Sequence, residues 1–193
     1  MNSKPVGIIA EDISDVNTIK VLIQRICGNN VSEKHSLGHG CGRIVGKCES
    51  WAKTLYQRGC DLLIIIHDSD NNPVKEIYDK ISKELNNSPF SKYLICIPIQ
   101  ELEAWLLSDP NGIKSAMKLR DTPKIKSDPQ NISSPKEYLE SVIRITSHKT
   151  KIYINTKHNE IIAKEISISE INKKCGSFRP FYKFITDNIV SKY

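Results

Sequence analysis

No apolar stretch in this 193-residue chain approaches the roughly 20 residues that cross a bilayer as a helix, so no membrane span is expected. The opening Met1-Asn2-Ser3-Lys4-Pro5 runs into an apolar segment of only five residues, Val6 to Ala10, too short for a signal-peptide core. The expected location is therefore the cytoplasm. No Cys-x-x-Cys occurs among the six cysteines, at 27, 41, 48, 60, 96 and 175. Buried free thiols in a reducing compartment are the expectation. His35, His39, Cys41 and Cys48 offer zinc-type donors, but their spacing matches no common finger. There is no Walker A loop, no dinucleotide fingerprint, no internal repeat and no low-complexity tract. The length suits one domain with a core of its own.

Positive charge is present but unevenly spread. The net charge is +6 overall, −2 over residues 1–111 and +8 over residues 112–193. An acidic half joined to a basic half suits a protein that holds a cation and a polyanion together. A basic face that only keeps the chain in solution gives the same count.

Acidic side chains follow three apolar runs. Val6-Gly7-Ile8-Ile9-Ala10 leads to Glu11 and Asp12. Leu62-Leu63-Ile64-Ile65-Ile66 leads to His67-Asp68-Ser69-Asp70. Tyr93-Leu94-Ile95-Cys96-Ile97-Pro98-Ile99 leads to Glu101 and Glu103. Short continuous apolar runs read as strands buried on both faces, the kind found in parallel sheets. The C-terminal strand ends of an open parallel sheet share one edge, where ligands bind. Carboxylates gathered there repel unless a cation lies between them, which points to a magnesium-type site.

Strand-like and helix-like segments alternate over the first hundred residues. Strands are expected near 5–10, 31–37, 61–67 and 92–99, and helices near 15–27, 43–58 and 74–86. Ser14 or Asp15 is the expected cap of the first helix, and Pro73 suits the first turn of the third. The series predicts an α/β fold, a central and mainly parallel sheet with helices on both faces. Beyond Ile99 the pattern is helical, near 101–107, 111–119, 134–145, 158–166 and 178–190, with lysine-rich loops between. Residues 1–110 thus read as an α/β core and 111–193 as a basic helical extension packed on it within one domain.

Asp68 and Asp70 stand two apart, so an extended backbone would face both carboxylates the same way. Together with Glu11 they form a candidate ligand set for one or two magnesium ions. Aspartate at a strand end is also common simply because it starts turns and caps helices.

The sequence Ile8-Ile9-Ala10-Glu11-Asp12-Ile13-Ser14-Asp15, followed by Ile65-Ile66-His67-Asp68-Ser69-Asp70, resembles the Toprim pattern of topoisomerases, DnaG-type primases and OLD-family nucleases. The nearest likeness is to small stand-alone bacterial Toprim-like proteins, several of them linked to phage defence. Those proteins also carry a helix like Glu101-Leu102-Glu103-Ala104-Trp105-Leu106, a Pro-Lys like Pro135-Lys136 and a Ser-Phe motif like Ser177-Phe178. Toprim proteins usually have glycine after the glutamate, where this chain has Asp12. The resemblance implies a Rossmann-like core and nuclease chemistry dependent on Mg²⁺ or Mn²⁺. It makes Glu11 a ligand or general acid/base, Asp68 and Asp70 ligands, and Glu103 a ligand to a second ion. It also implies a nucleic-acid substrate, DNA or RNA, and a separate ATPase partner; a homo-oligomer is compatible with it.

Lys136 opens a helix and is a candidate cation for the scissile phosphate; it is also one of many lysines. Arg43 follows the alternating glycines Gly38, Gly40 and Gly42, a candidate phosphate-binding turn. His39, in that loop, is a candidate to steer a phosphate. Arg179 sits among Phe178, Phe181, Tyr182 and Phe184, an aromatic–basic cluster able to stack bases or to dock a terminal helix. Trp105 reads as core. Two other functions fit part of the pattern. Receiver domains of signalling proteins use acids after the first strand and a phospho-acceptor such as Asp68, but the next strand here ends in Gln100-Glu101, the wrong chemistry. A degenerate Toprim module that only binds nucleic acid or a partner is the other, and Asp12 is the residue that favours it.

Overall fold

A computed structural model describes residues 5–28, 31–38, 43–125 and 128–190. Among them are four strands, β1 (Val6–Ala10), β2 (Glu33–Leu37), β3 (Leu62–Ile66) and β4 (Tyr93–Cys96). They form one sheet in the order β2-β1-β3-β4, and every pairing is parallel. Helices α1 (Ile13–Cys27), α2 (Arg43–Gln57) and α3 (Val74–Glu84) make the crossovers. The expected α/β architecture, a Rossmann-like parallel sheet flanked by helices, is the one observed.

Alternation along the strands divides the core into two. Val6, Ile8 and Ala10 of β1 and Leu62, Ile64 and Ile66 of β3 face α1. Ile9, Leu63 and Ile65 face the opposite way, onto α2 and α3 with Leu55 and Ile81. Side chains two apart on a strand share a face, so one apolar run feeds both layers. β2 (Glu-Lys-His-Ser-Leu) is only half-buried, as befits an edge strand.

The second half supplies α4 (Glu103–Leu106), α5 (Pro110–Met117), α6 (Pro135–Thr146), α7 (Asn155–Glu165), α8 (Ile168–Lys174) and α9 (Arg179–Asn188). Their buried side chains, among them Trp105, Ile113, Leu139, Ile162, Phe181 and Ile185, join those of β1, β3 and α1 in one cluster. The basic extension thus completes the α1 face of the sheet. Helix α8 is not among the helices that the sequence pattern predicts: it spans only seven residues and buries Ile171 alone, too little periodicity to register.

The N-cap of α1 is neither Ser14 nor Asp15, although Asp15 is the N3 partner of the capping box. That N-cap is Asp12, at φ −139° and ψ 177°, and its side chain accepts from the Ser14 and Asp15 amides. An extended residue at this turn needs no glycine, so the side chain of Asp12 is accommodated without strain. No helix among the described residues is long and apolar enough to cross a membrane.

Candidate functional site

Strand order reverses between β1 and β3. The chain leaves β1 toward β2 on one side and then returns to build β3 and β4 on the other. Open α/β sheets form a crevice at such a switch point, beyond the C-terminal strand ends. Glu11 follows the last residue of β1 and Asp68 lies two beyond the last of β3, so these two residues flank the switch point at adjacent strand ends.

The main chain around Asp68 is tied down. The His67 N–H donates to Cys96 O at 3.2 Å and the Ser69 N–H to Pro98 O at 3.1 Å. The Asp68 carbonyl stands 2.7 Å from His67 Nδ1. The Asp68 side chain differs: its Oδ1 is buried and has no hydrogen-bond partner. Burial raises the Asp68 carboxyl well above the ordinary carboxylate range, and the charges of Asp15, Glu103, Glu11 and Asp70 add to the effect in that order. Asp15, near the start of α1 and 9% exposed, is also raised well above that range, by burial first and then by Asp12, Glu103 and Glu11. Glu11, Asp15, Asp68 and Glu103 therefore share one electrostatic environment.

Glu103 is buried at the start of α4 and held on one oxygen. Its Oε1 accepts from Tyr153 Oη at 3.2 Å and from Asn159 Nδ2 at 3.0 Å. The single Tyr153 hydroxyl proton is shared between Glu103 Oε1 and the nearer Asn159 Oδ1. Glu101 is placed differently: its Oε2 accepts from the Lys136 N–H at 2.8 Å, a carboxylate on an otherwise orphaned amide of the α6 N-terminus. Lys136 is half-buried there, its charge within reach of the Glu101 carboxyl.

Asp70 does not extend the strand. It takes φ 45° and Asn71 φ 63°, so the backbone turns left-handed and the Asp70 residue is exposed. The extended backbone on which the same-face expectation for Asp68 and Asp70 depended does not continue through Asp70. This loop is instead zipped to the one after β4. Asp70 N–H donates to Gln100 O, Gln100 N–H to Ser69 Oγ, and Asn71 N–H to Gln100 Oε1, at 3.1, 2.7 and 3.1 Å. Gln100 is itself left-handed at φ 64°. Three non-glycine residues in that region at one strand edge mark a turn held by its surroundings.

Of the remaining candidates, Arg43 opens α2 and is exposed; His39 and Cys41 lie outside the described residues. The other two zinc-type donors are engaged elsewhere. His35 Nδ1 lies 3.1 Å from Glu33, and Cys48 is buried in the α2 face with its thiol pushed up to about 12 by burial. Arg179 is exposed but bonds back to the chain: its Nε and Nη2 donate to Asn172 O and Lys173 O, at the end of α8. Trp105 Nε1 donates to Ser177 Oγ at 2.9 Å and its ring meets Phe178 edge-on at 5.0 Å. The Glu-Ala-Trp and Ser-Phe motifs are thus one packing unit that fixes α4, and with it Glu101 and Glu103.

Asp15 and His67 were not singled out as site residues from sequence. The signal for Asp15 was its place three residues after Asp12, the spacing of a capping box, which points it back at the end of β1. Among the described residues, no three His, Cys, Asp or Glu side chains are drawn together into a finished cation cage. The acids are near enough to raise the cost of one another's charge without closing on one point. Carboxylate oxygens are the donors that a hard divalent cation takes, and the partnerless Asp68 Oδ1 suits one.

The fold and site define a Rossmann-like parallel α/β protein with an acidic switch-point crevice. Residues 10–186 match the family described as Domain of unknown function (DUF4276), and the chain belongs to it. No curated protein and no solved structure matches the chain.

Proposed function

We propose that the protein is a divalent-metal-dependent nuclease of the Toprim type that its motifs resemble, acting on DNA or RNA in the cytoplasm. The observation that carries this reading is Asp68. Its main chain is anchored and its Oδ1 is buried without a donor, opposite Glu11 and beside Asp15. Burying such a carboxylate is costly unless something positive meets it.

Glu11 and Asp68 would hold the cation from the two strand ends, with Asp15 adding negative charge from α1. Bound there, a cation polarises a phosphoryl oxygen and lowers the pKa of an attacking water. Glu11 would accept that water's proton. Glu103, immobilised by Tyr153 and Asn159, sets the field behind the site. Lys136 brings an ammonium to the α6 N-terminus, where it would meet phosphate as a point charge. Asp70 adds charge from the exposed turn. Asp12 serves as the cap of α1, which supports a turn after Glu11 that needs no glycine.

The test is cleavage of single- and double-stranded DNA and RNA with Mg²⁺, with Mn²⁺ and with EDTA. Asp68→Ala should lower activity at least ~100-fold through lost metal affinity. Glu11→Gln should still bind substrate and be nearly inactive. Cleavage that persists in EDTA or in Asp68→Ala rules out the mechanism.

A further inference from the structure

We infer that His67 is a positioning residue whose Nδ1–H holds both carboxylate-bearing strand ends in place; the inference rests on the cation-binding reading of the crevice. His67 directly follows β3 and is 7% exposed. Its Nδ1 stands 2.7 Å from the Asp68 main-chain oxygen. A carbonyl only accepts, so Nδ1 carries the proton and the ring tautomer is fixed. The same Nδ1 lies 3.6 Å from Glu11 Oε1. That is longer than a hydrogen bond but close enough for the positive end of the N–H dipole to attract the carboxylate.

One ring nitrogen therefore serves both sides of the crevice. It locks the Asp68 backbone, leaving the side-chain Oδ1 as the atom without a partner. It also draws Glu11 toward β3 against the repulsion of the neighbouring acids. Metal sites commonly depend on such outer partners, and their removal costs about 10–100-fold in affinity. A histidine that only filled space would use neither contact.

Two measurements on the full chain decide the matter. In metal-free protein labelled with ¹⁵N-histidine, the ring nitrogens of His67 should report the Nδ1–H tautomer; an Nε2–H ring would overturn the inference. The second compares amide replacements. His67→Asn sets an N–H donor near the place of Nδ1, whereas His67→Gln sets it near Nε2. Titration with Mn²⁺, read from the EPR signal of the free ion, should show His67→Asn close to wild type. His67→Gln should bind about tenfold more weakly or worse, with both variants folded by circular dichroism. Equal affinity of the two variants would overturn the inference. A wild type that binds no Mn²⁺ sinks the cation reading instead, and the tautomer spectrum then upholds or overturns the donor assignment by itself.

Discussion

Asp12 and Asp15 cap one another: Asp12 Oδ1 accepts from the Asp15 N–H at 3.2 Å, and Asp15 Oδ2 accepts from the Asp12 N–H at 3.3 Å. This exchange starts α1 and aims a buried carboxylate at the end of β1. The Asp12 carboxylate is used on the helix, so it is not needed as a ligand. Asp12→Ala should cost about 1 kcal/mol in urea unfolding, and Asp12→Gly only a few tenths. In both, the residue-12 N–H that holds Asp15 remains. Mn²⁺ affinity and cleavage should therefore survive; their loss would place Asp12 in the site itself.

Asp68 and Asp15 should make the metal-free protein less stable as pH rises. Both carboxyls are raised well above the ordinary carboxylate range, mainly by burial. The folded state thus binds their protons more tightly than the unfolded chain, where an aspartate titrates near about 3.9. Their contribution is complete below that value and is lost as pH climbs through the folded values. Asp68→Asn keeps the shape and removes one charge. In EDTA at neutral pH it should melt above wild type, by about 2–4 °C for each kcal/mol relieved, and the gap should shrink toward pH 4. Added Mg²⁺ should raise the Tm of wild type and leave the variant nearly unmoved. A variant less stable than wild type in EDTA would show that the acids do not strain the crevice.

Gly112 in α5 packs where no side chain fits. A Cβ there would lie 2.5 Å from Ile166 Cα and 2.9 Å from Ile166 N, both main-chain atoms just past α7. Gly112→Ala must push α5 and α7 apart, at about 1–3 kcal/mol. The expected result is a lower urea midpoint with Mn²⁺ affinity retained below the transition. An unchanged midpoint would mean that the two helices do not pack this closely in solution.

Lys136 and Arg179 should separate in nucleic-acid binding. Phosphate contacts make affinity fall with salt, by close to one unit of logarithmic slope for each contact. Lys136→Ala should flatten that slope by about one unit. Arg179→Ala should not, because its guanidinium is engaged with the carbonyls of α8; it should lower thermal stability instead. A slope change in Arg179→Ala would show that this guanidinium leaves α8 for phosphate.

The sequence by itself determined the sheet and the approach of its key acids. Val6–Ala10 and Leu62–Ile66 are apolar throughout, and a parallel sheet covered on both faces buries such runs. That logic also brought Glu11 and Asp68 to one edge, because parallel strands put all their C-terminal ends there. Tertiary structure decided what local pattern does not encode. The extended backbone does not continue through Asp70 because Gln100, 30 residues on from it, captures the turn. Asp12 took the cap from Ser14 and Asp15 because its carboxylate reached both of their amides. Glu103 is held by Tyr153 and Asn159, and His67 meets Glu11; these contacts span distant segments. Polar contacts between residues far apart in the chain leave no periodicity in sequence. They are chosen only when packing has fixed which buried polar atoms must satisfy one another.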